Sequence, residues 1–460
     1  METKTGTSTS LVPLNCVDKC LLALHSINEP MLFYIVVDLE GDIDHARLSK
    51  AITLAQQAQP VMKTVVRSRN LRVSREIREG SGREVLSFAD QTQLENPESY
   101  LSSWMNRPLN PCKEFPVRVL LLKRSESRCS LMFTFHHSAA DGLRGIIFAR
   151  KVAECYNGGL SKDCKTTAQI RSGRKGDELL ELARNRRAEV KHFYGKIILS
   201  LIRRFVVAAF PPPTRVFHDK SGWSRELASW IRTIDSDELA RVRAKAKAAG
   251  VGLNDVFLAA AYLAVEKWNS MHGRASNRIR VMVPVNISPE GFQYMISNHV
   301  SWLSFATTPR DRLDSGKLVR NVRAETADAI ANGMPFSLIY FFYVCSRFPI
   351  RVLREMARFL IVTRIYVDTI LVTNVGVAWA KAGSGEPAVT SMGHARVLNV
   401  TGSAPVVTPM GVSITTCTYG KNLNISLTYR SAMLSREKAE MFLDLYAEEV
   451  KNYRVDELGT

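Results

Sequence analysis

The feature that most constrains this chain is the stretch from Leu131 to Leu143, which reads Leu-Met-Phe-Thr-Phe-His-His-Ser-Ala-Ala-Asp-Gly-Leu. Its first five residues are apolar or β-branched and predict a strand buried on both faces. Side chains alternate along a strand, so His136 and His137 leave it on opposite faces, one towards the core and one towards a cleft. A histidine held in a cleft is suited to proton abstraction near neutral pH.

Asp141 and Gly142 follow the two histidines at a short, fixed distance. Gly142 has no Cβ and permits a sharp turn or the close approach of a substrate, while Asp141 can brace the turn through an ion pair. The segment reads His-His-x-x-x-Asp-Gly, which resembles the signature of the condensation-domain and chloramphenicol acetyltransferase-like superfamily. Within that superfamily the chain looks nearest to wax ester synthases, polyketide-associated acyltransferases and alcohol acyltransferases.

Composition narrows the class of protein. The hydrophobic share of 46% and charged share of 23% over 460 residues are typical of a globular enzyme with a full core. The formal net charge of +18 favours an anionic partner, whether nucleic acid, acidic lipid, a phosphate-bearing co-substrate or an acidic protein. Because the chain shows no zinc-finger spacing, RNP-like segment or extended Lys/Arg tail, we do not expect nucleic-acid binding.

The cysteines and the N-terminus indicate a reducing compartment. Eight cysteines are scattered without a Cys-x-x-Cys pair, and no secretory signal precedes them. Cys16 and Cys20 lie four apart, but no histidine or second pair completes a zinc set, so we expect no metal site. We therefore expect a cytoplasmic protein and leave a peripheral membrane contact open.

Segments before the motif support the resemblance. A strand from Met31 to Leu39, a turn at Gly41 and a helix stopped by Pro60 are similar to the opening of the superfamily's first lobe. The stretch from Asn106 to Lys123 enters a strand that we expect to pair with the motif strand. Such an antiparallel hairpin would hold the histidines rigidly.

Segments after the motif follow the same order. Asn254 or Asp255 can cap a buried, alanine-rich helix, as in wax ester synthases and condensation domains. The strand from Ile279 to Ile287 contains a proline at 284, which suits an edge or a bulge. Ser297 to Ser301 resembles the family's Gly-Asn-x-x-Ser segment with serine in place of glycine, and Ile370 to Gly376 resembles its strand ending in Ser/Thr-Asn-x-Gly.

Two basic segments have more than one interpretation. From Lys165 to Arg204 there are eleven basic residues against four acidic ones, and 197–210 is nearly all apolar. At fourteen residues that run is too short to span a bilayer, so it is either an amphipathic helix that touches a membrane or a helix packed over the junction of two lobes. Three arginines further on (Arg351, Arg354 and Arg358) share one helical face, which is either lipid- or anion-facing or simply solvated.

The resemblance implies an α/β fold of two chloramphenicol acetyltransferase-like lobes, each a mixed sheet flanked by helices, with an active-site channel between them. We assign residues 1–175 to an N-terminal lobe that carries the motif, 176–215 to basic amphipathic linker helices and 216–460 to a C-terminal lobe. No Walker-type or dinucleotide-binding glycine loop is present.

The resemblance also implies an acyltransferase in which His137 is the general base for a hydroxyl or amine that attacks an acyl thioester. No bound cofactor is implied. The co-substrate would be acyl-CoA or a phosphopantetheinyl thioester on an acidic carrier protein, and a basic surface suits either. Two alternatives stay open: a stand-alone condensation domain fed by carrier-bound donors, and a non-catalytic homologue that binds a carrier protein or a lipid.

Other site residues follow from the resemblance alone. His136, Asp141 and Gly142 would support the site, and Asp141 would pair with an arginine from elsewhere in the fold, for which Arg280 is our candidate. The channel residues implied by the family motifs are Asn298, Thr373 and Asn374.

Overall fold

The computed structural model of the protein describes residues 11–12, 14–27, 29, 31–69, 72–159, 178–186, 195–196, 198–199, 202, 212–222, 224–288, 295–363, 368–381, 386–407 and 410–453. The strands are β1 Leu11–Val12, β2 Leu32–Glu40, β3 Thr64–Arg69, β4 Arg72–Ile77, β5 Leu86–Asp90, β6 Val117–Lys123, β7 Arg128–His136, β8 Leu227–Ile234, β9 Ile279–Asn286, β10 Val300–Thr307, β11 Ile370–Val377, β12 Ser391–Met392, β13 Ala395–Gly402, β14 Val412–Tyr419 and β15 Asn422–Arg430. The helices are α1 Cys16–Ser26, α2 His45–Ala58, α3 Pro97–Asn106, α4 Gly142–Tyr156, α5 Glu178–Arg186, α6 Ser236–Ala248, α7 Leu253–Met271, α8 Ser315–Ala331, α9 Met334–Cys345, α10 Ile350–Thr363 and α11 Arg436–Asn452.

The motif strand lies in the middle of the N-terminal sheet, whose strand order is β12-β13-β2-β7-β6-β5. Strand β7 pairs antiparallel with β2 and β6, so the predicted hairpin is present. Helices α2 and α4 pack against each other over this sheet and share its core with the inward-facing side chains of β2, β6 and β7. His136 is therefore the last residue of a strand that is hydrogen-bonded to a neighbour on each side, and His137 follows it directly.

The C-terminal sheet has the order β10-β9-β11-β14-β15-β8. Its core forms around α7, an alanine-rich helix with 13 of its 19 residues buried, because small residues allow close packing. Of the two positions predicted for the strand containing Pro284, an edge or a bulge, the edge is not observed, since β9 lies between β10 and β11. Pro284 faces Trp302 on β10, while the pairing with β11 reaches only Val281 and Met282. The proline therefore removes no sheet hydrogen bond to β11.

One segment of the C-terminal half of the chain belongs to the N-terminal sheet. Strands β12 and β13 belong by sequence to the C-terminal half, yet β13 pairs antiparallel with β2 of the N-terminal sheet. Residues 391–402 thus complete the sheet that carries the motif. The α/β fold of two lobes, with mixed sheets flanked by helices, is confirmed, whereas the boundaries at 175 and 215 stay predictions.

Helix caps differ in detail from those expected. Asp235 caps α6, because its carboxylate accepts the first free backbone N–H groups. Gly252 occupies the N-cap of α7, and Asp255 in the first turn accepts its backbone N–H at 2.8 Å. Asp255 therefore takes part in the cap, but from the first turn of the helix and not from the N-cap position.

Most of the basic segment expected to form linker helices lies outside the described residues. Within the described residues, no helix alone has the length and apolar composition to cross a bilayer; α6 and α7 meet that standard only as a pair bent by 101°. Most of α7 is buried in the C-terminal core. The cytoplasmic location stays a prediction.

Candidate active site

His136 ends β7 inside the protein, where it is fully buried. Its Nδ1 lies 2.8 Å from the Ser138 hydroxyl oxygen, and its ring contacts the His25 ring edge to face at 4.7 Å between centroids. Burial, more than the neighbouring charges, lowers the pKa of His136 well below its usual value of 6.5. His136 is therefore a neutral side chain that packs the end of the strand.

His137 faces the other way and lies at the wall of a cavity. Its backbone N–H donates to the Met31 carbonyl at 2.7 Å, and its ring contacts Phe33 edge to face at 5.5 Å. The ring nitrogen Nδ1 is buried and has no hydrogen-bond partner among the described residues. This leaves Nε2 as the nitrogen that can meet a substrate in the cavity.

The carbonyl of His137 is held from behind by Asn298. The Asn298 side-chain amide donates to that carbonyl at 2.7 Å and to the Asp18 carboxylate at 2.8 Å. Its own backbone carbonyl accepts from the Asn15 side chain at 3.0 Å. Asn298 is fully buried and does not line the cavity, so its assignment to the channel is wrong. The amide lies behind the histidine because the loop carbonyl needs a donor there.

Arg75 completes the support behind the loop. Its guanidinium lies 3.0 Å from the Asp18 carboxylate and also donates to the carbonyl of Ser138. The two charged side chains are only 2% and 1% exposed. The carbonyls of residues 137 and 138 thus point into a buried ionic network that joins α1, β4 and the residues before β10.

Asp141 is the N-cap of α4, where its carboxylate accepts the Arg144 N–H at 3.0 Å and the His299 N–H at 3.1 Å. The pairing of Asp141 with Arg280 is wrong, because Arg280 lies 2.5 Å from the Asp368 carboxylate. The guanidinium nearest to Asp141 is that of Arg144, at 3.7 Å and three residues further along the same helix.

Arg144 joins the two halves of the site. It is 1% exposed and donates to the side chains of Asn286 and Ser288 at the end of β9. One guanidinium nitrogen also lies 3.3 Å from Nδ1 of His299. The start of α4 is therefore fixed to the C-terminal sheet, which aligns both walls of the cavity.

Glycines allow the close packing of α4. Gly142 opens the helix and lines the cavity, and a Cβ there would lie 3.7 Å from Val375 Cγ1, an ordinary contact. Of the two roles predicted for Gly142, a sharp turn is not observed because the residue is helical, and the close approach of a substrate stays a prediction. Gly145 is the glycine that packing requires, since a Cβ there would lie 2.5 Å from the Phe33 ring.

The cavity in front of His137 has a volume of about 380 Å³ and lies between the N-terminal and C-terminal sheets. Its walls are mainly apolar, with Phe33, Phe341 and Leu360 among the side chains that line it. Thr373 and Asn374, in the middle of β11, are among its polar lining residues. A cavity of this volume suits a small apolar ligand or an acyl chain.

Sequence reasoning missed several residues that shape the site. Thr415 on β14 lines the cavity, is 2% exposed and has a hydroxyl without a hydrogen-bond partner in the described part of the chain. Asp18 and Arg75 gave no local signal, because their pairing depends on tertiary structure. Arg144 could have been found, since an N-cap carboxylate followed three residues later by arginine is a helical pair.

The arrangement supplies a candidate general base, a cavity for a substrate and a fixed backbone around the base. Among the residues that the structure describes, no cluster of three or more His, Cys, Asp or Glu side chains is placed to hold a metal. A half-buried imidazole beside an apolar cavity can take a proton from an attacking group and return it to a leaving group. The site is thus that of a two-lobed protein with a histidine, His137, at the wall of a cavity between the sheets.

Comparison with known proteins agrees with that class. Residues 23–181 match the family model described as Condensation domain. Two relatives from strains of Mycobacterium tuberculosis, uncharacterized proteins MT2362 and Rv2305, are each 25% identical over 288 residues. The match covers 60% of this chain and 63% of each relative, so it spans less than two thirds of their length.

Solved structures share the whole fold. The first condensation domain of the calcium-dependent antibiotic synthetase, in complex with a substrate analogue, has a TM-score of 0.69 and 16% identity, covering 99% of this chain and 98% of that one. The starter condensation domain of rhizomide synthetase, a mutant in complex with C8-CoA, has a TM-score of 0.67 and 11% identity, covering 96% and 94%. The chain thus has the fold of condensation domains, and its residues 23–181 are similar to their family model. Its membership of the wider acyltransferase superfamily and its nearer kinship to wax ester synthases stay predictions.

Proposed function

We propose that this protein is an acyltransferase that moves an acyl group from an acyl-CoA thioester to a hydroxyl or amine acceptor, with His137 as the general base. One observation supports this most strongly. The His137 ring lies at the wall of an apolar cavity, while hydrogen bonds from Asn298 and to Met31 fix its backbone on both sides. A base that is fixed in this way is positioned before the substrate arrives.

The proposed reaction proceeds by addition and elimination. As the acceptor oxygen or nitrogen attacks the thioester carbonyl carbon, its proton passes to Nε2 of His137. The tetrahedral intermediate then collapses, the carbon–sulfur bond breaks, and the thiolate takes the proton from the imidazolium. Histidine thereby returns to its starting state, and the products are an ester or amide and a free thiol.

His137 accounts for part of the expected rate enhancement. A general base contributes typically about 10²- to 10⁴-fold, so positioning and stabilisation of the oxyanion must supply the rest. Thr415 is a buried hydroxyl that is available for a hydrogen bond to bound substrate. Thr373 and Asn374 lie on the wall formed by the middle of β11, where they can orient the acceptor.

Charge and a structural neighbour support a thioester donor. The net charge of +18 favours the phosphates of coenzyme A. The rhizomide synthetase starter domain, which shares this fold, was solved with C8-CoA. We therefore propose acyl-CoA as the donor and the apolar cavity as the place where the acyl chain or an apolar acceptor binds.

A second candidate function is a stand-alone condensation domain with carrier-protein-bound donors. It is favoured by the extent of the structural match, which covers nearly all of this chain and of a synthetase condensation domain. An acidic carrier protein would also be attracted by a basic surface. The non-catalytic alternative requires no catalytic histidine, so the cavity-facing His137 argues against it.

The donor is identified by measuring thiol release from a panel of acyl-CoAs of increasing chain length, with and without an alcohol or amine acceptor. We expect acceptor-dependent release of coenzyme A and a preference for apolar acyl groups. The same acyl groups on phosphopantetheinyl carrier protein provide the comparison. Faster transfer from the carrier would favour the condensation-domain alternative, and no thiol release from either donor would overturn the proposed activity.

A further inference from the structure

The outer side of α10 carries an exposed apolar stripe. Phe348 precedes the helix, and Val352, Phe359 and Val362 follow at four, eleven and fourteen residues, so all four lie on one side of it. Their exposed fractions are 48%, 41%, 59% and 72%. In a globular protein the apolar side chains of a helix normally face the core. This exposed stripe is therefore suited to contact with another apolar surface.

Arginines run beside the apolar stripe. Arg351, Arg354 and Arg358 recur at three and four residues, and Glu355 is the helix's acidic residue. Glu355 pairs with Arg354 at 2.9 Å and with Arg358 at 2.8 Å, and all three side chains are at least 41% exposed. With three arginines against one glutamate, this side of α10 carries a net positive charge of two.

The inner side of α10 faces the cavity. Leu353, Met356, Ala357, Leu360 and Ile361 line the apolar cavity in front of His137. The helix therefore presents apolar side chains on two separate faces, one to the cavity and one outward. The exposed fractions show that the described part of the chain does not cover the outward face.

We propose that the outer face of α10, formed by Phe348, Val352, Phe359 and Val362 with Arg351, Arg354 and Arg358, docks on an anionic lipid bilayer. An interfacial helix buries an apolar face at the acyl boundary while its cationic side chains reach the lipid headgroups. The alternation of apolar and arginine stripes on α10 has this form. Each arginine near the surface adds attraction to anionic lipid.

Other occupants fit the face less well. A second copy of the chain would bring the same arginines together across a two-fold axis, where like charges repel. Nucleic acid would use the arginines but would leave Phe359 and Val362 unmatched. This inference goes beyond the proposed acyl transfer and does not depend on it, because it concerns only a surface.

Docking is tested by co-sedimentation with vesicles of phosphatidylcholine alone or mixed with phosphatidylglycerol. We expect the full chain to sediment with the anionic vesicles and to be released as the salt concentration rises. Two double variants test the apolar and the charged contributions to binding separately. Phe359→Ser with Val362→Ser removes two apolar side chains, and Arg351→Glu with Arg358→Glu reverses two positive charges. Each should weaken binding at least tenfold while leaving the circular dichroism spectrum unchanged.

Matched controls come from other exposed positions. Phe88→Ser changes a phenylalanine that is 54% exposed on β5, and Arg241→Glu with Arg243→Glu reverses two exposed arginines on α6. Both controls should bind anionic vesicles as the wild type does. Thiol release from soluble acyl-CoA should be unchanged in the α10 variants, so failure of docking and failure of catalysis are distinguishable.

Three results would overturn the proposal. The first is equal binding to neutral and anionic vesicles, or none to either. The second is binding that survives both α10 variants but is lost when Arg186, Arg187, Arg203 and Arg204 are changed to Glu, which would assign docking to the basic linker segment. The third is a wild-type dimer, measured by light scattering, that the α10 variants convert to monomer.

Discussion

His137 separates two regions of opposite character. Behind its backbone, Asp18, Arg75 and Asn298 form a buried network of charges and amides that binds the loop carbonyls. In front of its ring lies a cavity of about 380 Å³ with mainly apolar walls. One region is closely packed and polar, and the other is open and apolar.

The comparison indicates how the chain can fix the backbone of a base while leaving its ring accessible to a substrate. Buried loop carbonyls must find donors, and meeting that need with a network from three distant elements fixes the loop. Among the residues that the structure describes, none forms a hydrogen bond with Nδ1 of the ring. We infer that residues behind the loop act mainly on stability, while His137 acts mainly on rate.

The largest expected effect on stability is that of Asp18→Ala. Removing this carboxylate leaves the Arg75 guanidinium, which is 2% exposed, without its partner. An uncompensated buried charge costs roughly 3 to 5 kcal/mol in the free energy of unfolding. Urea denaturation of the wild type and the variant measures this loss.

The matched control is Glu40→Ala, which breaks the ion pair with Arg396 at a site where both side chains are well exposed. We expect that change to cost less than about 1 kcal/mol. If Asp18→Ala cost no more than the control, the polar region would not be the closely packed support described above.

Asp141→Asn should have a smaller effect. The N–H groups of Arg144 and His299 donate to different carboxylate oxygens, so the single amide oxygen can still accept one of them but not both. The negative charge 3.7 Å from the Arg144 guanidinium is also lost. We expect a loss of roughly 1 to 3 kcal/mol in unfolding free energy, with activity reduced in parallel. A variant with an unchanged melting temperature and no activity would indicate instead that Asp141 acts directly in the chemistry.

The smallest expected effect is a pH dependence of stability from His136. Burial holds the pKa of His136 well below 6.5 in the folded protein, whereas the unfolded chain gains a proton as the pH falls through 6.5. The unfolded state then binds more protons, so the free energy of unfolding falls below pH 6.5, by at most about 1.4 kcal/mol per pH unit for one proton.

Denaturation curves between pH 5 and pH 8, at roughly half-unit steps, measure this slope. Burial also lowers the pKa of His25, so both His136→Gln and His25→Gln should reduce the slope below pH 6.5. A His136→Gln protein with the full wild-type slope would show that His136 is not held neutral.

The fold could be predicted from sequence because its signals are local. Alternation along the motif strand placed His136 and His137 on opposite faces, and the order of strands, turns and caps agreed with one superfamily. The exchange of β13 into the N-terminal sheet was missed, since no local pattern shows which distant strand will be its neighbour.

The support of the site was harder to predict for the same reason. The motif around Asn298 predicts a residue at the site but gives no direction to its side chain, which lies behind His137 and not in the channel. The choice of Arg280 failed since long-range ion pairs depend on packing, and Asp368 is its nearer partner. Arg144, only three residues from Asp141, was the local signal that was overlooked.

The division between rate and stability is tested most directly by measuring His137→Ala and His136→Ala side by side, for acceptor-dependent thiol release and for urea denaturation. We expect His137→Ala to lose about 10²- to 10⁴-fold in turnover with unfolding free energy within about 1 kcal/mol of wild type. His136→Ala should lose roughly 2 kcal/mol or more of stability, because it leaves a cavity in the core. Wild-type turnover in a folded His137→Ala protein would contradict the assignment of His137 as the general base.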